Sequence, residues 1–226
     1  MHIEPGLVDG AKIVLSYATA TAAGGYALKL AWDELRSNGI PSLAARTLAA
    51  SVLVFCFFEV LPHFPVGVSE VHFILGSTLL LLFGAAPAAI GLAVGLLIQG
   101  LLFAPFDLPQ YGMNITTLLV PLFAIKALAD RIIPPKTPYV DIEYSQALAL
   151  SSTYQGGVVI WVAIWALYGA GFAAENVSSI VHFGAAYMLV IIVEPLADLA
   201  VLAIAKMLHG RHGTGLFTPR LHNAAA

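Results

Sequence analysis

The chain has 226 residues, of which 59% are hydrophobic and only 10% are charged. Soluble domains carry roughly 25% charged residues, so the composition excludes an ordinary soluble protein and indicates an integral membrane protein. The single cysteine, Cys56, excludes an intrachain disulfide and a thiolate metal cluster. A net charge of −3 without a basic patch gives no indication of a nucleic-acid partner.

Apolar stretches recur from the first residues to about residue 207. A membrane-spanning helix needs about 20 mostly apolar residues. On that basis the sequence predicts about seven spans, at 11–31, 43–61, 70–84, 86–105, 115–133, 145–172 and 179–207. Pro87 separates the third span from the fourth, because proline favours a first helical turn and restricts the residue before it. We expect an all-α, polytopic membrane helix bundle over residues 1–208 and a flexible, polar tail over 209–226.

The basic residues predict the orientation of this bundle. Of the ten Lys and Arg residues, all except Lys12 flank alternate loops or belong to the C-terminal end. Cytoplasmic segments carry such an excess of basic residues. The pattern predicts an N-terminus outside and a C-terminus in the cytoplasm, in the cytoplasmic (inner) membrane of a bacterium or archaeon. His63 and His72 would then lie near the outer surface.

The first two residues, Met1 and His2, form a pair that can chelate a metal. Histidine at the second position blocks removal of the initiator methionine, so we expect a free amine one peptide bond from an imidazole. The amine and the His2 amide nitrogen would close a five-membered ring, and the amide nitrogen and His2 Nδ1 a six-membered ring. A fourth donor would complete a square, which favours Ni(II) or Cu(II), with Co(II) as a plausible neighbour.

Two further residues near the predicted outer surface are candidates for this site. His72 would lie at the start of the third helix, although a single histidine there is more often interfacial or capping than a ligand. Asn114 ends the next outer loop. Its carboxamide could hold an imidazole N–H, or it could instead cap the helix that continues from Ile115.

Together these residues resemble a known family. Met1-His2-Ile3-x-x-Gly6, then Phe64-Pro65-Val66…Ser69…His72…Leu75-Gly76, then Gly112-Met113-Asn114 are similar to the CbiM/NikM type of cobalt/nickel transporter, in order over most of the first 125 residues. Those proteins are the substrate-binding membrane components (S components) of energy-coupling factor transporters. The resemblance implies an N-terminus inserted into the bundle from outside, Co²⁺ or Ni²⁺ bound by Met1, His2 and His72, and Asn114 lining the site.

The segment before His72 departs from the family pattern. The family usually has Gly-Gly-Thr-Ser-Gly-His, whereas this chain has Gly67-Val68-Ser69-Glu70-Val71-His72. Glu70 could attract a cation or supply an oxygen donor, although a solvated loop carboxylate is the more common case. Ser69 belongs to the same supporting segment. His63 could be a low-affinity entry ligand, although an interfacial histidine is the more common case.

Three carboxylates are expected inside the spans: Glu59 in the second, and Glu194 and Asp198 on one face of the seventh. Carboxylates at membrane depth usually face a partner or a wet cavity. They could form a metal path or contact another protein. We favour pairing with a lysine such as Lys12 or Lys126, or with a polar side chain.

The sequence contains no Gly-x-x-x-x-Gly-Lys-Ser/Thr motif. An active transporter would therefore need separate ATPase subunits and a coupling membrane (T) component. We expect a non-enzymatic subunit of such an ABC transporter for Co²⁺ or Ni²⁺ uptake, without a resident cofactor. The alternatives are a membrane metal sensor or chaperone that does not transport and, less favoured, an intramembrane enzyme using His72, Glu59 and Glu194.

Overall fold

The computed structural model describes residues 2–207. Met1 and residues 208–226, which include the predicted tail, lie outside the described residues. Besides short 3-10 and π-helical segments, the described part contains six α-helices and one short hairpin. In chain order these are α1 (Ile13–Phe55), β1 (Phe64–Val66), β2 (Ser69–Val71), α2 (Gly76–Phe83), α3 (Ala85–Leu102), α4 (Tyr111–Ile132), α5 (Tyr144–Ala170) and α6 (Ala174–Met207).

Five of these helices are long and apolar enough to cross a membrane, in the part of the chain that the structure describes. The helical membrane bundle is therefore confirmed, but the count of seven spans is not. Helices α3 to α6 correspond to the last four predicted spans. The first two predicted spans both lie in α1, and the third is largely replaced by α2, a buried helix of only eight residues.

Helix α1 is interrupted at Gly39, where φ is 77° and ψ is 170°. Pro41, two residues later, has no backbone N–H to continue the helical hydrogen bonds. Arg46, beyond the break, forms a buried ion pair with Glu34, before it. In a continuous helix these residues would lie about 18 Å apart, so the chain must turn sharply between them. The first two predicted spans are therefore separate apolar segments, as expected, but they lie on either side of a break within one helix.

The hairpin was not predicted. Strands β1 and β2 pair antiparallel across the tight turn at Gly67, with Phe64 opposite Val71 and Val66 opposite Ser69. Gly67 has a φ of +62°, and a side chain there would collide with the Ser179 carbonyl of α6. Both constraints require glycine. The expectation of a purely α-helical protein thus holds for the bundle and fails for this segment at one end of it.

The part of α1 that follows the break at Gly39 packs closely on α3, because α3 presents glycines to it. A Cβ at Gly91 would lie 2.6 Å from the Ala50 Cβ, and one at Gly95 would lie 2.6 Å from a Val54 methyl. Small residues four apart allow membrane helices to approach this closely. The motif Gly91-Leu92-Ala93-Val94-Gly95 therefore serves packing within the bundle.

Replacing Gly91 with alanine should destabilise the protein, because overpacking a tight contact costs about 1–3 kcal/mol. The measurement is thermal unfolding in detergent. Gly24→Ala, in the part of α1 before the break, is the matched control, since a Cβ there meets nothing within 4 Å. Alanine stabilises a helix more than glycine does, so the control should keep or raise the melting temperature. Equal melting temperatures for the two variants would contradict the close packing.

Candidate metal centre

The N-terminal segment pairs with the hairpin as a third strand. Ile3 forms an antiparallel bridge with Ser69. The Glu4 N–H donates to the Val68 carbonyl at 3.1 Å, and the Glu70 N–H donates to the His2 carbonyl at 3.0 Å. The Ser69 hydroxyl donates to the same His2 carbonyl at 2.9 Å. Residues 2–4, here called the arm, are therefore held by main-chain pairing.

The arm is also seated in the bundle by its apolar side chain. Ile3 is fully buried and packs in a small cluster with Val8, Met113 of α4 and Trp165 of α5. The Ile3 N–H donates to Asn114 Oδ1 at 2.9 Å. Asn114 lies in the first turn of α4, so the expectation that it caps a helix beginning at Ile115 was wrong, while its expected bond to an imidazole stays a prediction. Its carboxamide holds the backbone of the arm.

Strand register brings three possible metal ligands together. With Ile3 opposite Ser69, antiparallel pairing places His2 opposite Glu70. Side chains two apart on a strand share a face, so His72 follows Glu70 on that face. Ligand atoms of His2, Glu70 and His72 all lie within 4.8 Å of one another. His2 and His72 are 4% and 2% exposed, with ring centroids 6.2 Å apart.

Glu70 lies against His2. Its carboxylate accepts a hydrogen bond from His2 Nδ1 at 2.6 Å, and its side chain is 20% exposed. The expectation of a solvated loop carboxylate was therefore wrong. Burial lowers the pKa of the His2 imidazole below its usual 6.5, and Glu70 opposes this only in part. Burial would raise the pKa of Glu70, but the hydrogen bond from His2 opposes it, and the net shift of that pKa is downward. A neutral imidazole thus donates to an ionised carboxylate.

A second carboxylate near His2 was missed by the sequence analysis. Asp107 is buried in the turn before α4, and its Oδ2 lies 3.8 Å from His2 Nδ1. A cavity of about 10 Å³, the space of one water molecule or ion, lies beside His2 and Asp107. Among the described residues, His2 Nε2 is buried without a hydrogen-bond partner. In the sequence, only the position of this carboxylate in an apolar segment could have indicated that Asp107 belongs to the site.

His72 lies four residues before α2, so its expected place at a helix start was wrong. The ring packs on Phe58 with centroids 4.5 Å apart, and Nδ1 donates to the Phe73 carbonyl at 3.2 Å. Leu75 then takes a left-handed conformation, with φ of 54°. The segment between His72 and α2 is therefore irregular, and its amide groups need partners at membrane depth.

Glu194 of α6 supplies those partners. Its carboxylate accepts the backbone N–H groups of Ile74 and Leu75, the latter at 3.0 Å, and also the side-chain amide of Gln155. One turn further along α6, Asp198 accepts the hydroxyls of Ser77 and Thr78. Both carboxylates thus pair with polar groups, as favoured, and they anchor the segment that follows His72.

The lysines named as possible partners bind elsewhere. Lys12 donates to the Gly169 carbonyl at 2.6 Å, and Lys126 pairs with Asp130. Glu59 accepts a hydrogen bond from Gln99 at 3.2 Å. Glu59 and Glu194 thus each have a polar partner of their own among the described residues.

The remaining predicted site residues are placed as follows. Ser69 supports the arm through the His2 carbonyl, as described above. His63 precedes β1, outside the group of ligand atoms, with Nδ1 3.2 Å from the Leu61 carbonyl. Met1 lies outside the described residues, so the role of its amine stays a prediction.

Replacing Gly169 of α5 with alanine should loosen the arm. A Cβ there would collide with the Leu7 carbonyl and lie 2.8 Å from a Val8 methyl. A strain of about 1–3 kcal/mol should raise amide hydrogen exchange at Ile3, Glu4 and Glu70 about tenfold or more. Gly156→Ala, on the same helix and facing open space, is the control. Unchanged exchange in Gly169→Ala would show that this contact does not seat the arm.

Comparison with known proteins agrees with this architecture. No curated protein matches the chain significantly. A crystal structure described as a truncated transition metal transporter shares the fold, with a TM-score of 0.68 and 17% sequence identity over 92% of this chain and 97% of that one. The family model for the cobalt uptake substrate-specific transmembrane region, CbiM, matches residues 2–210. An arm that buries His2 beside His72, in a bundle of apolar helices, therefore has a family context: the chain belongs to the CbiM family of integral membrane proteins.

Proposed function

We propose that this protein is the substrate-binding component of an energy-coupling factor ABC transporter that takes up Co²⁺ or Ni²⁺. The metal enters from outside, at the end of the bundle that carries the arm, in the cytoplasmic membrane. ATPase subunits and a coupling membrane component contact the cytoplasmic side, where the C-terminus lies. The family description of cobalt uptake supports this function.

The observation that carries the proposal is the burial of His2 beside His72. These residues are 70 positions apart in sequence, yet their rings lie 6.2 Å apart at the end of the bundle. An imidazole is expensive to bury without a partner, and His2 Nε2 has none among the described residues. Two converging imidazoles beside carboxylates are a common donor set for transition metals.

The proposed ligands are the Met1 amine, the His2 amide nitrogen, His2 Nδ1 and a His72 imidazole nitrogen. A metal at His2 Nδ1 would replace the proton that joins this atom to Glu70. The arm is held by its His2 carbonyl, which accepts from Glu70 and Ser69, and by its Ile3 N–H, which donates to Asn114. None of these contacts uses the His2 N–H. The arm can therefore stay paired with the hairpin while its first nitrogens bind metal.

Blocking the N-terminal amine should abolish tight metal binding, because the amine closes the first chelate ring. We would add three alanines before Met1, because a single one would place His2 third from a new amine and create another chelate, and measure the metal content of the purified protein. Addition of three alanines after Ala226 is the control and should leave stoichiometric metal bound. Stoichiometric metal in the N-terminally extended variant would exclude the amine as a ligand. Metal binding without uptake or ATPase copurification would instead favour a sensor or chaperone.

Metal binding should weaken as the pH falls. The amine, with an ordinary pKa of about 7.7–8.0, and the amide must both lose protons on binding. Affinity should therefore fall by about tenfold to a hundredfold per pH unit below about pH 7. Burial lowers the pKa of His2, so its proton competes with the metal less than that of an ordinary imidazole. A titration that gives the same affinity from about pH 5 to pH 8 would contradict the proposed ligand set.

A further inference from the structure

We infer that Glu70 is itself a metal donor, so that the site binds its ion through nitrogen and oxygen and its preference shifts from Ni²⁺ and Cu²⁺ toward Co²⁺. This inference rests on the proposed function and adds a specificity-determining residue to it.

Backbone pairing directs the Glu70 carboxylate to the metal position. Register places Glu70 directly opposite His2 and two residues before His72. Directly opposed residues on antiparallel strands have Cβ atoms about 4.5–5.5 Å apart. Two main-chain hydrogen bonds, Glu70 N–H to the His2 carbonyl and Glu4 N–H to the Val68 carbonyl, maintain this register. The carboxylate is therefore held at the site by the fold.

The distances are already close to those of a coordination sphere. Two donors at right angles, each about 2.0–2.1 Å from a metal, lie about 2.9 Å apart. Glu70 Oε2 and His2 Nδ1 are 2.6 Å apart. A metal that replaces the intervening proton would thus contact both atoms after a shift of a few tenths of an ångström. His72 completes the group, with all three ligand atoms within 4.8 Å.

An oxygen donor changes which metal the site prefers. A square of four nitrogens favours Ni(II) and Cu(II). A fifth, anionic oxygen donor raises the coordination number and removes the advantage of square-planar geometry, whereas high-spin Co(II) accepts five or six mixed donors. The carboxylate also offsets the charge of a divalent ion in a buried site. Asp107, whose Oδ2 lies 3.8 Å from His2 Nδ1, adds to this negative potential.

The spin state of bound nickel tests the inference. Ni(II) in a nitrogen square is diamagnetic, and Ni(II) with a fifth oxygen donor is paramagnetic. We would load the full-length protein with Ni²⁺ and measure stoichiometry, magnetic susceptibility and competition with Co²⁺. The wild type should hold one paramagnetic ion. Glu70→Gln and Glu70→Val should hold a diamagnetic ion and shift the preference toward Ni²⁺ by about tenfold or more.

Glu4→Gln is the matched control, because it removes a carboxylate from the same arm and should leave the nickel paramagnetic. Stoichiometric but diamagnetic nickel in the wild type would overturn the inference and leave the proposed function standing. Paramagnetic nickel in both Glu70 variants would also overturn it. If Asp107→Asn then made the nickel diamagnetic, the oxygen donor would be Asp107 and not Glu70. Failure of the wild type to hold stoichiometric metal would overturn the inference and the proposed function together.

If neither Glu70 variant holds nickel, infrared difference spectra of the wild type with and without metal replace the comparison. A carboxylate that becomes a ligand changes the separation of its symmetric and antisymmetric stretches. Such a change on loading that persists in Asp107→Asn supports the inference, and a change that Asp107→Asn removes, or an unchanged carboxylate region, overturns it.

Discussion

The candidate site depends on one interaction, the pairing of the arm with the hairpin through Ile3 and Ser69. This pairing decides which side chains meet, because antiparallel register places His2 opposite Glu70 and leaves His72 on the same face. A slip of one residue would turn His2 to the opposite face. The burial of Ile3 opposes such a slip, since the slip would remove its side chain from the cluster with Met113 and Trp165.

The other half of the site depends on carboxylates inside the bundle. The segment after His72 leaves regular structure, and its amide groups would be costly to leave unpaired in a membrane. Glu194 accepts those of Ile74 and Leu75, while Asp198 accepts the hydroxyls of Ser77 and Thr78. Helix α6 therefore positions His72 indirectly, because its Glu194 side chain holds the backbone of the residues that follow His72. The position of α6 and the geometry of the proposed site are physically connected.

Much of the fold and part of the site could be predicted from the sequence. The apolar segments follow from local patterns, and the proximity of His2, His72 and Asn114 follows from motifs in chain order. The count of spans could not be predicted, because Gly39 and Pro41 interrupt one helix while α2 is too short to cross. Local apolarity does not distinguish a span from a short helix buried by its neighbours.

The sequence by itself determined that the protein lies in a membrane and that Met1, His2 and His72 are candidates for one metal site, since composition and donor chemistry are local properties. Only the tertiary structure decided that Glu70 faces His2, that Asn114 holds the arm and that Glu194 holds the segment after His72. Each of these pairs is separated by more than 65 positions, and strand register and helix packing bring them together. The physical reason is that the partners of buried polar groups are chosen by the packed fold, which no local pattern specifies.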